Sequence, residues 1–403
     1  METGDSRTDA ERDRFGQDVA DRIRQLDVVA AADYEPDGFR VVYLRHGETN
    51  RGHAYLESTF LECRGVTAAE RDRRIDALAS IAMAPQLPKT WDEVRPMLRP
   101  VLRAAAFGLG ESAAKELVRR PAMPYLTELV VVDTPRAMAY VNVVNLGQWG
   151  VTAEDVFSAA RSNMADTAMR TMERDEEGPA LIRFVDDGDG YFSSLPLIGG
   201  WLAGIGARLG ARPLAFVAER NSLLVTGVPW TEPSDLDPLL AMVLEDYREA
   251  PRSISPVAYT VDEDGEVVEF EVPRGHPSWA AVRRAQIVLA TEAYRSQTQY
   301  LKARYEQEGT DVFVAGLQSL RSPTGLEFTM TAWTDEIVTH LPRAHYIAFP
   351  GDEPGGTILV PWAAVDAEAG FVPVPGLHPP RFEVGDWPEP ERMARVRSQA
   401  EMP

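Results

Sequence analysis

Between Pro124 and Val143 the chain carries two short apolar runs with a single break. Tyr125-Leu126-Thr127-Glu128-Leu129-Val130-Val131-Val132 and Ala137-Met138-Ala139-Tyr140-Val141 are rich enough in β-branched and aromatic residues to predict adjacent strands, joined by a turn at Thr134-Pro135. The period then changes. Val156, Phe157, Ala160 and Met164 recur at helical spacing behind the capping signal Thr152-Ala153-Glu154-Asp155, which predicts a helix over 152–172. This strand–turn–strand–helix unit offers apolar packing and few convergent polar groups, so it reads as scaffold.

The same pattern reading extends along the chain. Met1 to Asp13 reads as a frayed tail, and Phe15, Val19, Ile23 and Leu26 predict a first amphipathic helix. Asp37-Gly38 is a turn signal before a strand over 39–44. From Ala54 to Met83 the pattern is helical, with Tyr55, Leu56, Thr59 and Phe60 on one face and Thr67-Ala68-Ala69-Glu70 opening a second helix. Thr90-Trp91-Asp92-Glu93 opens another, which Pro96 and Pro100 break or bend on its way toward Phe107.

Further on come a strand at 180–185, a tight acidic turn at Asp186-Asp187-Gly188-Asp189-Gly190 and a glycine-spaced helix over 197–209. The acidic turn lacks the spacing and the closing glutamate of an EF-hand. Close packing of helix on sheet accounts for Gly204 and Gly206 better than a phosphate loop does, because no strand leads in and no Lys-Ser/Thr follows. Two apolar runs, 214–217 and 223–225, flank the polar group Glu219-Arg220-Asn221-Ser222, which reads as a hairpin turn. A helix over 235–247 takes Ser234 or Asp235 as its cap. Pro251 and Pro256 bracket a polar linker, beyond which a hairpin turns at Asp264-Gly265 and a long helix runs from Ser278 to Tyr305. A second hairpin, 311–320 with 326–333, turns at Pro323-Thr324-Gly325; strands follow at 344–349 and 357–362. From Gly376 the chain is rich in proline and charge, and reads as a wrapping or loosely ordered tail.

These elements imply an α+β fold with mixed or antiparallel sheets and packed helices, in two domains, 14–250 and 256–375, with a tail over 376–403. A length of 403 residues allows two or three domains at about 150 residues each. Composition changes the picture chiefly through charge. Sixty-two acidic against 41 basic residues leave −21, which disfavours a nucleic-acid backbone or an anionic membrane as partner and favours solubility. Cys63 is the one cysteine, so neither an intramolecular disulfide nor a cysteine-based zinc site can form, and its place on a predicted helix suits a packed thiol. No metal or cofactor is expected. The polar, acidic N-terminus and the lack of an apolar run of about 18 residues predict a cytoplasmic protein.

Two stretches carry candidate chemistry. Arg45-His46-Gly47-Glu48-Thr49 resembles the signature of the histidine phosphatase superfamily, which implies His46 as phosphorylated nucleophile and Arg45 as phosphate holder. The strand over 39–44 would present it at a carboxyl end, where open α/β sheets bind ligands. Asn50-Arg51-Gly52-His53 follows where that superfamily has a tryptophan–asparagine pair, and none of His53, His276, His340, His345 and His378 is followed by the glycine usual for its second histidine. The alternative is a surface turn with Gly47 at positive φ. Glu219, Arg220 and Asn221 form the second candidate, a binding group at a hairpin end; the plain alternative is a turn with an ion pair or a left-handed Asn221.

Several segments together resemble the YtpQ-like family of uncharacterised bacterial proteins. They are Ala54-Tyr55-Leu56-Glu57-Ser58-Thr59-Phe60 with Glu70-Arg71, Pro124 to Val132, Met138-Ala139-Tyr140-Val141, Trp149-Gly150-Val151-Thr152, Gly190-Tyr191-Phe192-Ser193-Ser194, and Glu219-Arg220-Asn221-Ser222-Leu223-Leu224. The likeness covers about residues 50 to 250, and the C-terminal part looks like an extension found in actinobacterial relatives. The resemblance implies no activity. The expectation is therefore a non-catalytic binding or scaffolding protein with a protein or small-molecule partner, the alternative being a divergent histidine phosphatase.

Overall fold

The computed structural model describes residues 5–48, 51–83, 87–110, 116–134, 137–172, 181–185, 191–229, 234–351 and 356–403. Its strands form five sheets among the described residues, mostly antiparallel, with helices packed on them: the fold is α+β. The chain divides into two compact units, Met1–Met97 with Val132–Ala139, and Leu98–Val131 with Tyr140–Pro403.

In the first unit the helix Asp5–Arg24 lays Phe15, Val19 and Ile23 against an antiparallel meander of Val29–Glu35, Arg40–Arg45 and Arg51–Tyr55. The helix therefore starts within the stretch expected to fray. Two strands depart from expectation. Val29–Glu35 is alanine-rich and carries no strand signal of its own. Ala54, expected to begin a helix, pairs with Val41, leaving Tyr55 half exposed instead of on an apolar helix face. Pairing with Arg40–Arg45 decides both, because each strand edge needs partners for its backbone groups. Helices Glu57–Glu62 and Ala68–Ala79 follow; Thr67 Oγ1 accepts from Glu70 N–H at 3.3 Å, a cap of about 1 kcal/mol. Cys63 closes the first of them and packs half-buried on this core, and burial raises its thiol pKa, which suits a structural thiol.

The helix opened by Thr90 lasts one turn, Trp91–Val94, and Thr90 Oγ1 donates to Glu93 Oε2 at 2.8 Å instead of capping backbone. A 3₁₀ turn, Arg95–Met97, leads into the strand Leu98–Ala104, where a bent helix was expected. Pro100 is admissible there because the strand lies at the edge of its sheet. Its neighbours in that sheet are, in order, Leu126–Thr134 and Arg119–Met123. Ala137–Tyr140 pairs back on Leu126–Thr134 as the pattern predicts; Pro135 of the turn lies outside the described residues. The helix Ala153–Met172 packs on Leu98–Ala104, with Thr152 Oγ1 accepting from Asp155 N–H at 3.2 Å and Asp155 Oδ2 from Thr152 N–H at 2.9 Å. The helix Val143–Trp149 went unpredicted. Asn142 and Asn145 form its capping box, and Gly150 ends it at φ +69°.

The central sheet of the second unit has the strand order Val267–Glu269, Ala258–Val261, Arg212–Glu219, Ser222–Val228, Leu181–Val185. Residues 186–190, the expected acidic turn, lie outside the described residues. Helices Trp201–Leu209 and Asp237–Glu249 pack on Arg212–Glu219, and a Cβ on Gly206 would stand 2.7 Å from Pro213 Cδ, so that glycine does serve close packing. The expected cap of the second helix is corrected: Leu236 is the N-cap, and its N–H donates to Ser278 Oγ at 2.7 Å. The boundary expected between Ala250 and Pro256 is corrected too. Ala258–Val261 hydrogen-bonds to Arg212–Glu219, and Leu240, Val243, Ala258 and Val282 share one core cluster across the proposed linker.

The long helix Trp279–Glu308 packs on Glu327–Ala332 and Phe313–Val314, strands of two four-stranded sheets. Gln318–Arg321 pairs with Glu327–Ala332 around Gly325 as expected, whereas Phe313–Val314 joins Thr339–Pro342 in the other sheet. Tyr346–Pro350 and Thr357–Pro361 pair as well. The tail is integral: Arg381–Val384 is a sheet strand, and Met393 and Val396 of helix Pro390–Ser398 are buried beside Trp333, Phe349 and Trp362.

Candidate functional site

Arg45 and His46 leave the end of their strand as expected, and Gly47 takes φ +76°. The surroundings do not suit a phosphoryl-transfer centre. The sheet is an antiparallel meander, so the argument from the carboxyl ends of parallel strands does not apply. Arg45 turns back on its own unit: Nε donates to Ala82 O at 2.8 Å, Nη2 to Ile81 O and Nη1 to Glu48 Oε1, each at 3.4 Å. Those are the donors that a phosphate on His46 would need. His46 is exposed, and Thr49 and Asn50 lie outside the described residues. His53 sits opposite Val42 with its ring stacked on Tyr55. Nδ1 of His276 accepts from Ser278 N–H at 3.1 Å and Nδ1 of His345 from Thr329 N–H at 2.9 Å; His378 Nε2 lies 2.8 Å from Leu126 O, and His340 bridges Tyr305 and Glu383.

Glu219, Arg220 and Asn221 do form a hairpin end: Glu219 faces Ser222, and Arg220-Asn221 make the turn. Asn221 is not in the left-handed region, which corrects that part of the turn reading. The segment after helix Asp237–Glu249 runs back along this hairpin, with Arg220 N–H donating to Arg252 O at 3.1 Å and Ile254 N–H to Ala218 O at 3.0 Å. Arg220 and Arg252 thus stand side by side on neighbouring backbones.

A third arginine, Arg103 of the strand Leu98–Ala104, lies near enough for their charges to act on it. Leu102 N–H donates to Ser194 Oγ at 3.2 Å, tying that strand to the turn Phe192–Leu197, which packs on both strands of the hairpin. Arg103 is 6% exposed. Its Nε donates to the Tyr140 hydroxyl at 2.9 Å and its Nη1 to Leu102 O at 2.7 Å; Nη2 is buried with no acceptor. The guanidinium also lies 5.8 Å from the ring centres of Phe107 and Tyr140. Burial, first of all, pulls its proton affinity down; Tyr140 opposes this, and the charges of Arg220 and Arg252 add to it. The structure therefore brings Arg220 of the predicted group together with Arg103, Arg252 and Tyr140, while Glu219 and Asn221 shape the turn. Sequence reasoning missed Arg103, Arg252 and Tyr140. One signal was available: an arginine inside the apolar run Val101-Leu102-Arg103-Ala104-Ala105, since arginine is rarely buried without a partner.

Two other fully buried ions among the described residues of this unit, Arg381 and Glu128, are satisfied. Arg381 is fully buried and donates to Gln297 Oε1, Ala315 O, His340 O, Tyr294 O and Thr298 Oγ1. Glu128 is fully buried and takes Arg120 Nε at 2.8 Å and Arg161 Nε and Nη2 at 2.9 and 2.7 Å. A groove of about 720 Å³ beside helix Asp237–Glu249 and the start of Trp279–Glu308 is likewise self-neutralised. There Glu327 binds Arg284 and Arg321, which hold its carboxyl down at about 2, and Arg283 lies over the Trp279 ring. Among the described residues no group of three or more His, Cys, Asp and Glu is placed to hold a metal ion, and no helix is long and apolar enough to cross a membrane.

Two titratable groups bear on stability. Glu269 Oε1 is buried without a partner, and its carboxyl is pushed up from 4.5 to about 7, chiefly by burial and then by Glu271. The fold then holds that proton more tightly than the unfolded chain does, so the contribution is full below about pH 4.5 and lost as the pH rises through 7. His345 is pushed down from 6.5 to about 4 by burial, then by Arg283 and Arg343; its contribution is full above 6.5 and lost as the pH falls through 4. The two slopes oppose each other where they overlap. Glu269→Gln, which cannot ionise, is expected to gain about 1–3 kcal/mol on the wild type between pH 5 and 7.5. Urea unfolding across that range measures it; a difference independent of pH would sink the assignment.

No family model, no curated protein and no solved structure matches the chain.

Proposed function

We propose that the chain is a binding protein that acts without catalysis, and that it captures an anionic group at Arg103 and Tyr140, beside the hairpin turn that carries Arg220. The supporting observation is Arg103 Nη2, a buried donor on a cation whose other donors meet only neutral groups. A cation held in this way costs the fold several kcal/mol unless a negative partner arrives. The partner is a protein or small molecule carrying that group. With a net charge of −21, nucleic acid and anionic membranes are not its targets, and the cytoplasm is its proposed location. The YtpQ-like resemblance belongs to this reading as a kinship resting on spaced residues, and it supplies no activity. The histidine phosphatase alternative finds no supporting geometry at Arg45 and His46.

Arg103→Met tests the proposal. Methionine fills most of the volume and removes the unmet charge, so the variant is expected to unfold within about 1 kcal/mol of the wild type, or to be more stable by about 1–3 kcal/mol. Sodium phosphate and sodium sulfate, against sodium chloride at matched ionic strength, should raise the wild-type melting temperature in a saturable way and leave the variant unmoved. Equal responses in the two proteins, or a large loss of stability in the variant, would make Arg103 a structural residue.

A further inference from the structure

The groove of about 720 Å³ lined by helix Asp237–Glu249, the start of Trp279–Glu308 and the hairpin around Gly325 has walls of opposite sign. Helix Asp237–Glu249 sets two neighbouring rows of side chains along it, each at the four-residue spacing of one helix face. The inner row, Leu240 and Leu244, is buried and ends at Arg248. The outer row is Asp237, Ala241, Glu245 and Glu249. Its three carboxylates are exposed and have no ion-pair partner among the described residues. Three carboxylates against one arginine leave this wall at −2.

The other wall is positive. Arg283, Arg284 and Arg321 line it with Glu327 as their one carboxylate, a net of +2. Glu327 is committed to Arg284 and Arg321. Arg283 has no such partner. Its Nε donates to Glu327 O at 2.7 Å and its guanidinium lies 5.1 Å from the Trp279 ring centre, which holds the group in place before any ligand arrives. Its two terminal nitrogens meet no acceptor among the described residues, and together they form the fork that fits a carboxylate. The long helix begins on the same wall without a side-chain cap, because Ser278 Oγ accepts from Leu236 N–H instead, so its positive end adds to the charge of the arginines.

A ligand of one sign gains at one wall and loses at the other, so charge complementarity selects a dipolar occupant. The apolar surface of Leu240, Leu244, Trp279 and Leu326 selects apolar side chains on it. Reach selects its length. Packed helices stand about 8–10 Å apart between axes, and a free α-amino acid carries both charges on one carbon. An extended peptide gains about 3.3–3.6 Å per residue, so two or three residues reach from wall to wall. The volume lies within the range of small-ligand clefts, roughly 300–1,000 Å³. We propose that this groove binds a peptide of two or three apolar residues with both termini free. The terminal carboxylate sits in the Arg283 fork, the terminal ammonium meets the carboxylates of Glu245 and Glu249, and the side chains lie on Leu244 and Trp279. No bond is made or broken, and the site does not rest on the anion capture assigned to Arg103.

Isothermal titration calorimetry on the full chain tests this with the tripeptide Ala-Trp-Leu in four forms: free, N-acetylated, C-amidated and blocked at both ends. The free peptide is expected to bind about tenfold more tightly than the amidated form, which loses a charge-assisted fork. It should bind about threefold more tightly than the acetylated form, whose lost contact is with exposed, screened carboxylates. L-tryptophan, which cannot reach both walls, should bind at least tenfold more weakly than the free tripeptide. Arg283→Met should weaken the free and acetylated peptides about tenfold and leave the amidated one unchanged. Glu245→Gln combined with Glu249→Gln should weaken the free and amidated peptides about threefold and leave the acetylated one unchanged. Equal affinity for the four forms, equal weakening of all four by Arg283→Met, or no binding overturns the proposal. L-tryptophan binding as tightly as the tripeptide overturns the assignment to a peptide. The four forms decide on the wild type alone if a variant fails to fold.

Discussion

Replacing Arg381 with methionine is expected to remove about 3–5 kcal/mol of unfolding free energy, the opposite of what the same change does at Arg103. Both arginines are buried, but their surroundings differ. Arg381 has no exposed surface, and each of its three nitrogens finds an acceptor, from Gln297 and Thr298 of the long helix to Ala315 O and His340 O of the neighbouring sheet. It also lies 5.3 Å from the centre of the Tyr294 ring. Methionine keeps much of the packing and supplies none of the donors, so buried acceptors such as Ala315 O and Gln297 Oε1 lose their partner. Burial pulls the Arg381 pKa down to about 10, still well above neutral, so the side chain carries its charge under physiological conditions. Urea midpoints of the two variants provide the comparison. A loss under about 1 kcal/mol for Arg381→Met would mean that the tail is held by its apolar contacts alone.

The second large effect is an asymmetry around Glu128. Removing Arg120 and Arg161 together as methionines leaves a fully buried carboxylate without either partner, and is expected to cost about 3–5 kcal/mol. Glu128→Leu in the otherwise unchanged chain removes the charge itself. Arg120 and Arg161 are 28% and 37% exposed, so both guanidinium groups can turn to water, and the change is expected to stay within about 1 kcal/mol. Arg120 keeps its stacking on Phe157, at 4.2 Å from the ring centre, and its bond to Glu154. Chemical denaturation of the three proteins decides. If Glu128→Leu proves as damaging as the double variant, the network contributes net stability beyond cancelling its own desolvation.

The strand–turn–strand–helix stretch illustrates how much was legible in the chain and where legibility stopped. Its strands and its long helix lie where their periods place them. The polar convergence of Glu128 with Arg120 and Arg161 was not visible, because those residues lie 8 and 33 positions away from Glu128. Leu98–Ala104 shows the converse failure. Two prolines suggested a bent helix, whereas an edge position in a sheet tolerates Pro100 and supplies a partner strand. The tail from Gly376 looked loose because proline and charge are abundant there, yet one of those charges, Arg381, is the most thoroughly hydrogen-bonded side chain in its core.

By itself the sequence determined the α+β class, most helices, the hairpin turns at Arg220-Asn221 and Gly265, and the presence of a polar group at the first of these. Such features follow from local period, capping and turn chemistry, which act over a few residues. Only the tertiary structure decided that Arg45 is committed to carbonyls of its own unit, that one sheet runs across the supposed linker, and that Arg103 bonds Tyr140 where the charges of Arg220 and Arg252 act on it. Each of these depends on residues from separate elements reaching one place with compatible burial and hydrogen bonding, which no local pattern encodes.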